Sequence, residues 1–425
     1  MYYKEYFSSK EKYIREKLNQ WKSENKKVAI WGAGHKGNEF LQIFDSNNEF
    51  IKAVFDKDNK KYGNVLKTGH RVEDYRNFIV DIIILFMPSF ELETRLLLYK
   101  SNFKGKIYSL DNIIFGNLLT EDNDKNNVNN LKSVRKTKIA ALVIVYNPWK
   151  EVQEYIKSYA LKCDEVYIYD NSAKSNEALF SQIVKDSSVR YIYGNGENRG
   201  IGYPINKIAE IAMNNDCEWL ITFDQDSIAS PDMIQIMRQY VESDSFDEKV
   251  AMIVPSVNET ENYNSVYDSK FIAQLPHITY TMQGIQSGAM NRLDALKDVG
   301  GYNEKMFIDV VDYEYSARVR ASGYRIAKVN RAILYHNIDD NDKVMKQAEG
   351  FSFYVKKYTA SRYYSTYRNM LYCADKYHDI DPIFSENCRR LLKIFDTRVK
   401  YDENYSENKQ AIEKAKKDVV LLFSD

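Results

Sequence analysis

The chain has 425 residues, long for one domain, so two or three are expected. Sixty Lys and Arg balance sixty Asp and Glu, so there is no basic excess to attract nucleic acid and no acidic tail. A content of 44% hydrophobic and 28% charged residues is that of an ordinary globular protein. The four cysteines, Cys163, Cys217, Cys373 and Cys388, show no C-x-x-C spacing, which argues against a disulfide framework or a zinc site and fits a reducing compartment. The N-terminus, "MYYKEYFSSKEKYIREKL", has no apolar core of signal-peptide length, and apolar runs such as Ile82–Pro88 have only strand length. A cytoplasmic protein is expected.

A charged helix (about Lys4–Lys22) leads into the strand "KKVAIW", a Gly-rich turn and a helix. Here Gly32, Gly34 and Gly37 fall in G-x-G-x-x-G register, and Asp56 ends the next strand, "IKAVF". That is the context a dinucleotide fingerprint requires. The plainer reading is that these glycines only let strand and helix pack closely. Strands "DIIILF" and "KIYSL" complete residues 1–117, read as a small Rossmann-like domain similar to modules attached to sugar-modifying enzymes. The Asn-, Asp- and Lys-rich stretch 118–137 reads as a linker.

Alternation resumes with "KIAALVIVY", "EVYIYD", "VRYIYG", "EWLITFD" and "VAMIV". Strands alternating with helices imply parallel pairing, and residues 138–340 read as a second domain. From about Lys343 the pattern turns helical and charged, marking 341–425 as a C-terminal region.

The strand "EWLITFDQDS" ends in Asp224 and Asp226. Ligands gather at the carboxyl ends of strands in open parallel sheets. Two carboxylates at i and i+2 can converge there on one hard cation and leave positions for phosphate oxygens. Alone, such a triplet is more often a solvated turn or a helix cap. Asp170 likewise ends "VYIYDNS", and "YGNGENRGIGYPINKI" is a Gly- and Asn-rich loop opening a helix, suited to phosphate contacts. Downstream, "MFIDVVDYEYSARVRASGYRI" gathers Asp309, Asp312 and Glu314 near Arg318. Acids so crowded are candidates for a tuned general base, although a helix N-terminus also favours acids without any catalytic role.

In order, "ALVIVYNP", "DNS", "NGENRGIG…N", "FDQDS", "GIQSGAMNRLDALKDVGGYNE", "MFIDVVDYEYSARVRASGY" and "LYHNI" resemble glycosyltransferase family 2, most closely its rhamnosyltransferase-like branch. The resemblance implies an α/β, GT-A catalytic domain with a Rossmann-like mixed sheet, preceded by the small Rossmann-like domain and followed by C-terminal helices. It implies inverting transfer from a nucleotide-sugar donor, UDP- or dTDP-linked and of rhamnose, galactose or glucose type. The acceptor would be a glycan or lipid-linked saccharide in surface polysaccharide synthesis. Tyr146, Asn147, Asp170, Asn198, Gly200, Asn206, Asp224 and Gln225 would meet the donor, with Asp170 on the pyrimidine base. Asp224 and Asp226 would hold Mn2+ or Mg2+, with His336 completing the metal site. Asp312 matches the second acid of the family's Glu-Asp pair; the first is Val311 here, and Asp309 lies three positions before Asp312, so either aspartate is a candidate base. Gly288, Glu314 and Arg318 would border the acceptor.

The stretch "FYVKKYTASRYYSTYRNMLYCADKY" combines rings and cations on one helix. It suits either peripheral contact with the inner face of a membrane or packing onto the catalytic domain. Two other functions remain: a nucleotide-sugar oxidoreductase or epimerase built on the N-terminal glycines, which leaves "FDQDS" unexplained, and a non-catalytic scaffold for glycan assembly.

Overall fold

The structure is a computed structural model that describes residue 7 and residues 10–87, 90–110, 136–160, 162–258, 268–336, 344–348, 351–355 and 358–423. The chain divides into two units, Met1–Asn130 with Asn264–Tyr280, and Leu131–Tyr263 with Thr281–Asp425. The expected linker, 118–137, lies outside the described residues up to position 135.

The first unit runs α1 (Glu11–Ser23), β1 (Val28–Trp31), α2 (His35–Phe44), β2 (Ile51–Phe55), β3 (Val72–Glu73), β4 (Ile82–Leu85), α3 (Glu91–Lys100) and β5 (Lys106–Ser109). Its sheet has the order β3-β2-β1-β4-β5 with every pairing parallel, the doubly wound arrangement that strand–helix alternation implies. β1 is buried on both faces, which is why "VAIW" reads as a continuous apolar run. The short helix Ser269–Gln274 groups with this unit, and its Phe271 ring lies 5.4 Å from that of Tyr99.

The second unit runs β6 (Ile139–Val145), α4 (Val152–Ala160), β7 (Glu165–Asp170), β8 (Val189–Tyr193), α5 (Gly202–Asn214), β9 (Trp219–Asp224), β10 (Ser227–Ala229), α6 (Met233–Val241) and β11 (Val250–Asn258). It continues with β12 (Met290–Arg292), α7 (Leu293–Val299), α8 (Val311–Ala321), β13 (Arg325–His336), β14 (Val344–Ala348), β15 (Phe351–Val355), α9 (Ala360–Lys376), α10 (Pro382–Arg398) and α11 (Tyr405–Asp418). The main sheet follows the path β10-β13-β11-β12-β9-β6-β7-β8. It is mixed: β8-β7-β6-β9 pair in parallel, while β12 runs antiparallel between β9 and β11. Ala140, Leu142 and Ile144 of β6 share one core with Ile205 and Ile208 of α5, Tyr315 of α8, and Tyr363 and Tyr367 of α9.

Two features after residue 340 sharpen the reading. The continuous helical pattern expected from Lys343 is corrected by an antiparallel hairpin, β14 with β15. Its second strand, "FSFYV", is aromatic and β-branched, a composition that favours a pleated strand over a helix. In α9, by contrast, Tyr363, Tyr367 and Tyr372 are buried. Tyr363 donates to Asp402, and Tyr367 donates to Asp396 at 3.0 Å. These rings therefore pack inside the unit. No described helix is long and apolar enough to cross a membrane.

The close approach of α2 to β1 gives a direct stability test. A Cβ on Gly37 would stand 2.2 Å from the carbonyl oxygen of Gly32, whereas one on Gly34 would meet nothing within 4 Å. Gly37→Ala is expected to cost about 1–3 kcal/mol, as overpacking does, and Gly34→Ala no more than about 1 kcal/mol. Urea denaturation of both variants checks this, and equal losses would contradict the close-packing role.

Candidate active site

The parallel register places the acid ends of neighbouring strands on one edge of the sheet. Asp170 of β7 lies opposite Val145 of β6, and Ile144 of β6 lies opposite Asp224 of β9. β10 then turns back and pairs with the end of β13, setting His336 opposite Ser227. This pairing brings together residues more than a hundred positions apart. Ligand atoms of Asp224, Asp226 and His336 lie within 4.8 Å of one another. His336 Nδ1 is 3.5 Å from Asp226 Oδ1 and 2.8 Å from the hydroxyl of Ser227.

The electrostatics of this cluster call for a positive charge. Burial pushes the Asp224 carboxyl up to about 6, with Asp226 adding to the rise and His336 opposing it. Burial also raises Asp226. Asp226 Oδ1 is buried without a hydrogen-bond partner among the described residues. A buried carboxylate oxygen left without a donor, beside a second carboxylate and an imidazole, fits a divalent cation.

Asp312 stands in the first turn of α8. Its Oδ2 accepts from the backbone N–H of Gln286 at 3.2 Å, and its Oδ1 accepts from that of Tyr313 at 3.0 Å. Burial pushes this carboxyl up to about 7, and the charge of Asp224 adds to the rise. The segment Gln286–Gly288 ties the two acid groups together. While Gln286 N–H meets Asp312, the hydroxyl of Ser287 accepts from the backbone N–H of Asp224 at 3.0 Å and lies 2.7 Å from that of Ser227. Gly288 donates its N–H to the carbonyl of Thr222 in β9 at 2.7 Å.

Asp309 is committed elsewhere. Its carboxylate receives both prongs of the Arg362 guanidinium at 2.9 Å and the Thr366 hydroxyl at 2.7 Å. Its backbone is left-handed at φ 58, between Phe307 at φ 65 and Val310 at φ 66. For non-glycine residues such conformations cost about 1–3 kcal/mol each.

The donor-side residues divide. Gln225 clamps the end of β6, accepting from Tyr146 N–H at 2.9 Å and donating to Tyr146 O at 3.2 Å, which leaves the Tyr146 ring half-exposed. Asn147 donates its N–H to the Ser172 hydroxyl at 2.7 Å. Asn198 accepts from Gly200 N–H at 3.0 Å. Gly200 sits at φ 71, and a Cβ there would fall 2.1 Å from the Phe307 carbonyl oxygen, so only glycine fits.

Asp170, Asn206, Glu314 and Arg318 all have partners within the chain. Asp170 is fully buried, and its oxygens accept from Ser172 N–H, Asn176 N–H, the Asn176 amide and the Tyr191 hydroxyl. Burial raises its carboxyl, but these hydrogen bonds win and hold it below the ordinary range. The carboxylate organises its own turn. Asn206 is engaged with the 302–304 loop, through Tyr302 O, Tyr302 N–H and Glu304. Glu314 is buried and paired at 2.8 Å with Arg318, and it also accepts from Tyr377 at 2.7 Å. This pair braces α8 against α9.

In the first unit Asp56 accepts from Ala33 N–H at 2.9 Å and Asp58 N–H at 3.0 Å, and pairs with Lys61 at 2.9 Å. Gly32 donates to Phe55 O at 2.8 Å, and Gly34 caps α2.

Comparison with known proteins finds similarity in both sequence and structure. Residues 140–300 match the family model of glycosyl transferase family 2, and residues 2–73 match that of the C-methyltransferase C-terminal domain. The dTDP-rhamnosyl transferase RfbF of Shigella flexneri is 26% identical over 211 residues, 48% of this chain and 67% of that protein. Among solved structures, S. aureus TarS 1-349 in complex with UDP-GlcNAc is similar with a TM-score of 0.42 and 14% identity, over 68% of this chain and 82% of that one. The match spans only 43% of the longer TarS chain. GalNAc-T7 with UDP, GalNAc and Mn2+ gives a TM-score of 0.42 and 12% identity, over 80% of this chain and 67% of that one. Over residues 140–300 the chain is thus similar to glycosyl transferase family 2, and over 48% of its length to a dTDP-rhamnosyl transferase.

Asp312 makes stability depend on pH. Its folded-state value near 7 lies above the ordinary 3.8, so the stability it contributes is present below pH 4 and lost as pH rises through 7. Asp312→Asn is expected to melt higher than the parent at pH 8, in chelator, and nearly level with it at pH 4.5. Thermal melts across that range check this, and parallel pH slopes for the two proteins would contradict it.

Proposed function

We propose that the chain is an inverting, metal-dependent glycosyltransferase that moves a sugar from a dTDP- or UDP-linked donor to a hydroxyl of a glycan or lipid-linked saccharide. One observation carries this reading. A trio able to hold a cation, Asp224, Asp226 and His336, is linked through Gln286 and Ser287 to Asp312, a carboxyl raised into the range of a neutral-pH base. The trio would hold Mn2+ or Mg2+, which when bound offsets the charge that grows on the leaving diphosphate.

Asp312 takes the proton from the acceptor hydroxyl. The freed oxygen bonds to the anomeric carbon while the carbon–oxygen bond to the diphosphate breaks on the opposite face, inverting that centre. Gln286 and Tyr313 N–H groups keep the carboxylate aimed as its charge changes. Asp309 is poorly suited to the step, because Arg362 and Thr366 already occupy its oxygens. The similarity to RfbF makes dTDP-rhamnose the first donor to test, against UDP-sugars.

Sugar transfer is expected to require Mn2+ or Mg2+ and to be lost in Asp226→Ala together with Mn2+ binding, measured calorimetrically. Full turnover in excess EDTA would sink the metal role. Asp312→Asn is expected to lower kcat by at least roughly a hundredfold with the donor Kd nearly unchanged, and Asp309→Asn to cost less. A larger loss in Asp309→Asn moves the base assignment.

A further inference from the structure

Residues 306–310 approach α8 along a path that an ordinary chain avoids. Phe307, at φ 65, forms a γ-turn closed by Ile308 N–H on Met306 O at 2.8 Å, and left-handed Asp309 and Val310 follow. Val310 is β-branched, a poor choice for positive φ. Strain of this kind persists only where neighbouring groups over-determine the backbone.

Those groups lie on one face of α9. Arg362, Thr366 and Asn369 are spaced i, i+4 and i+7, so they stack along the helix. The buried amide of Asn369 donates to the carbonyls of Met306 at 2.8 Å and of Ile308 and Asp309 at 2.9 Å. Arg362 and Thr366 fix the Asp309 carboxylate. On its other side, the turn accepts Ile201 N–H at Phe307 O, 2.9 Å, beside Gly200. The strained turn is thus held between α9 and the glycine-rich loop. Asp312 stands two residues beyond it.

We propose that Asn369, with Arg362 and Thr366, is a positioning unit through which α9 holds the 306–310 turn and so sets the place of the Asp312 carboxyl. The catalytic consequence rests on the reading of Asp312 as the base; the holding of the turn does not. None of these three α9 side chains touches the reacting atoms in this scheme. A carboxyl displaced by about 1 Å from its productive place loses roughly a hundredfold in rate.

Two substitutions test it. Asn369→Asp keeps the side-chain size but replaces the donating amide with a carboxylate facing three carbonyls. Arg362→Lys keeps the charge but loses the two-pronged fork. Hydrogen exchange of the full chain is expected to quicken, by about tenfold or more, at the amides of Ile201, Ile308 and Glu314, with β6 and β9 unchanged. Turnover, referred to sites titrated with nucleoside diphosphate and Mn2+, is expected to fall roughly a hundredfold in Asn369→Asp and about tenfold in Arg362→Lys, with donor KM within about threefold. Unchanged exchange at those amides overturns the proposal, as does exchange quickened across the whole core with kcat per titrated site retained. A wild-type chain that transfers no sugar from any donor sinks the functional reading and its consequence for Asp312, while exchange still decides whether α9 holds the turn.

Discussion

Carboxylates crowded away from water repel one another and resist ionising, and the second unit is arranged around holding several of them close to one sheet edge. Strand register brings Asp224 to that edge, and the pairing of β10 with β13 adds His336. Gln286 and Ser287 then tie Asp312 and Asp224 to a single backbone segment. Placing such groups with fixed donors, rather than with mobile water, keeps their geometry constant while their charge changes. The cation proposed for the cluster would meet the same constraint, since a positive ion reverses the pressure that burial puts on each acid.

The C-terminal helices share in this arrangement. Tyr377 reaches the buried Glu314–Arg318 pair, and Asn369 reaches the turn before α8. Tyrosines suit this task because each ring fills core volume while its hydroxyl finds an acid at the margin. Tyr367 with Asp396 and Tyr364 with Asp418 repeat the pattern across α10 and α11. The abundance of tyrosine in this region is therefore explained by packing within the unit.

What was legible in the sequence was whatever depends on local pattern. Apolar runs ending in an acid located β7 and β9, and spacing placed Asp224, Asp226 and Asp312. Less legible were side chains whose direction is set by distant partners. Asn206 and Glu314 sit in motifs that suggested ligands, yet each is consumed by a contact that spacing cannot display. Gln286 and Ser287 lay inside a recognised motif but went unassigned, because one acts through its backbone and the other through a hydroxyl. Arg362, Thr366 and Asn369 were hidden among rings, although their i, i+4, i+7 spacing was a readable sign of one helix face. The β14–β15 hairpin was missed because its alternation lasts only a few residues in a stretch dominated by helical composition.

The discontinuity of the first unit bears on how the chain is made. Met1–Asn130 emerges from the ribosome first, but Asn264–Tyr280 belongs to the same compact unit. At ordinary synthesis rates of about 5–20 residues per second, the missing piece follows after a delay on the order of ten seconds. During that interval the Tyr99 ring lacks Phe271, its later neighbour. The second unit is interrupted in turn, since β11 is finished before the detour begins and β12, which must slot between β11 and β9, comes only after it. Neither unit can complete its fold in strict order of synthesis, so before residue 264 is added the nascent chain carries two half-finished surfaces at once, the interval in which it most needs protection from aggregation.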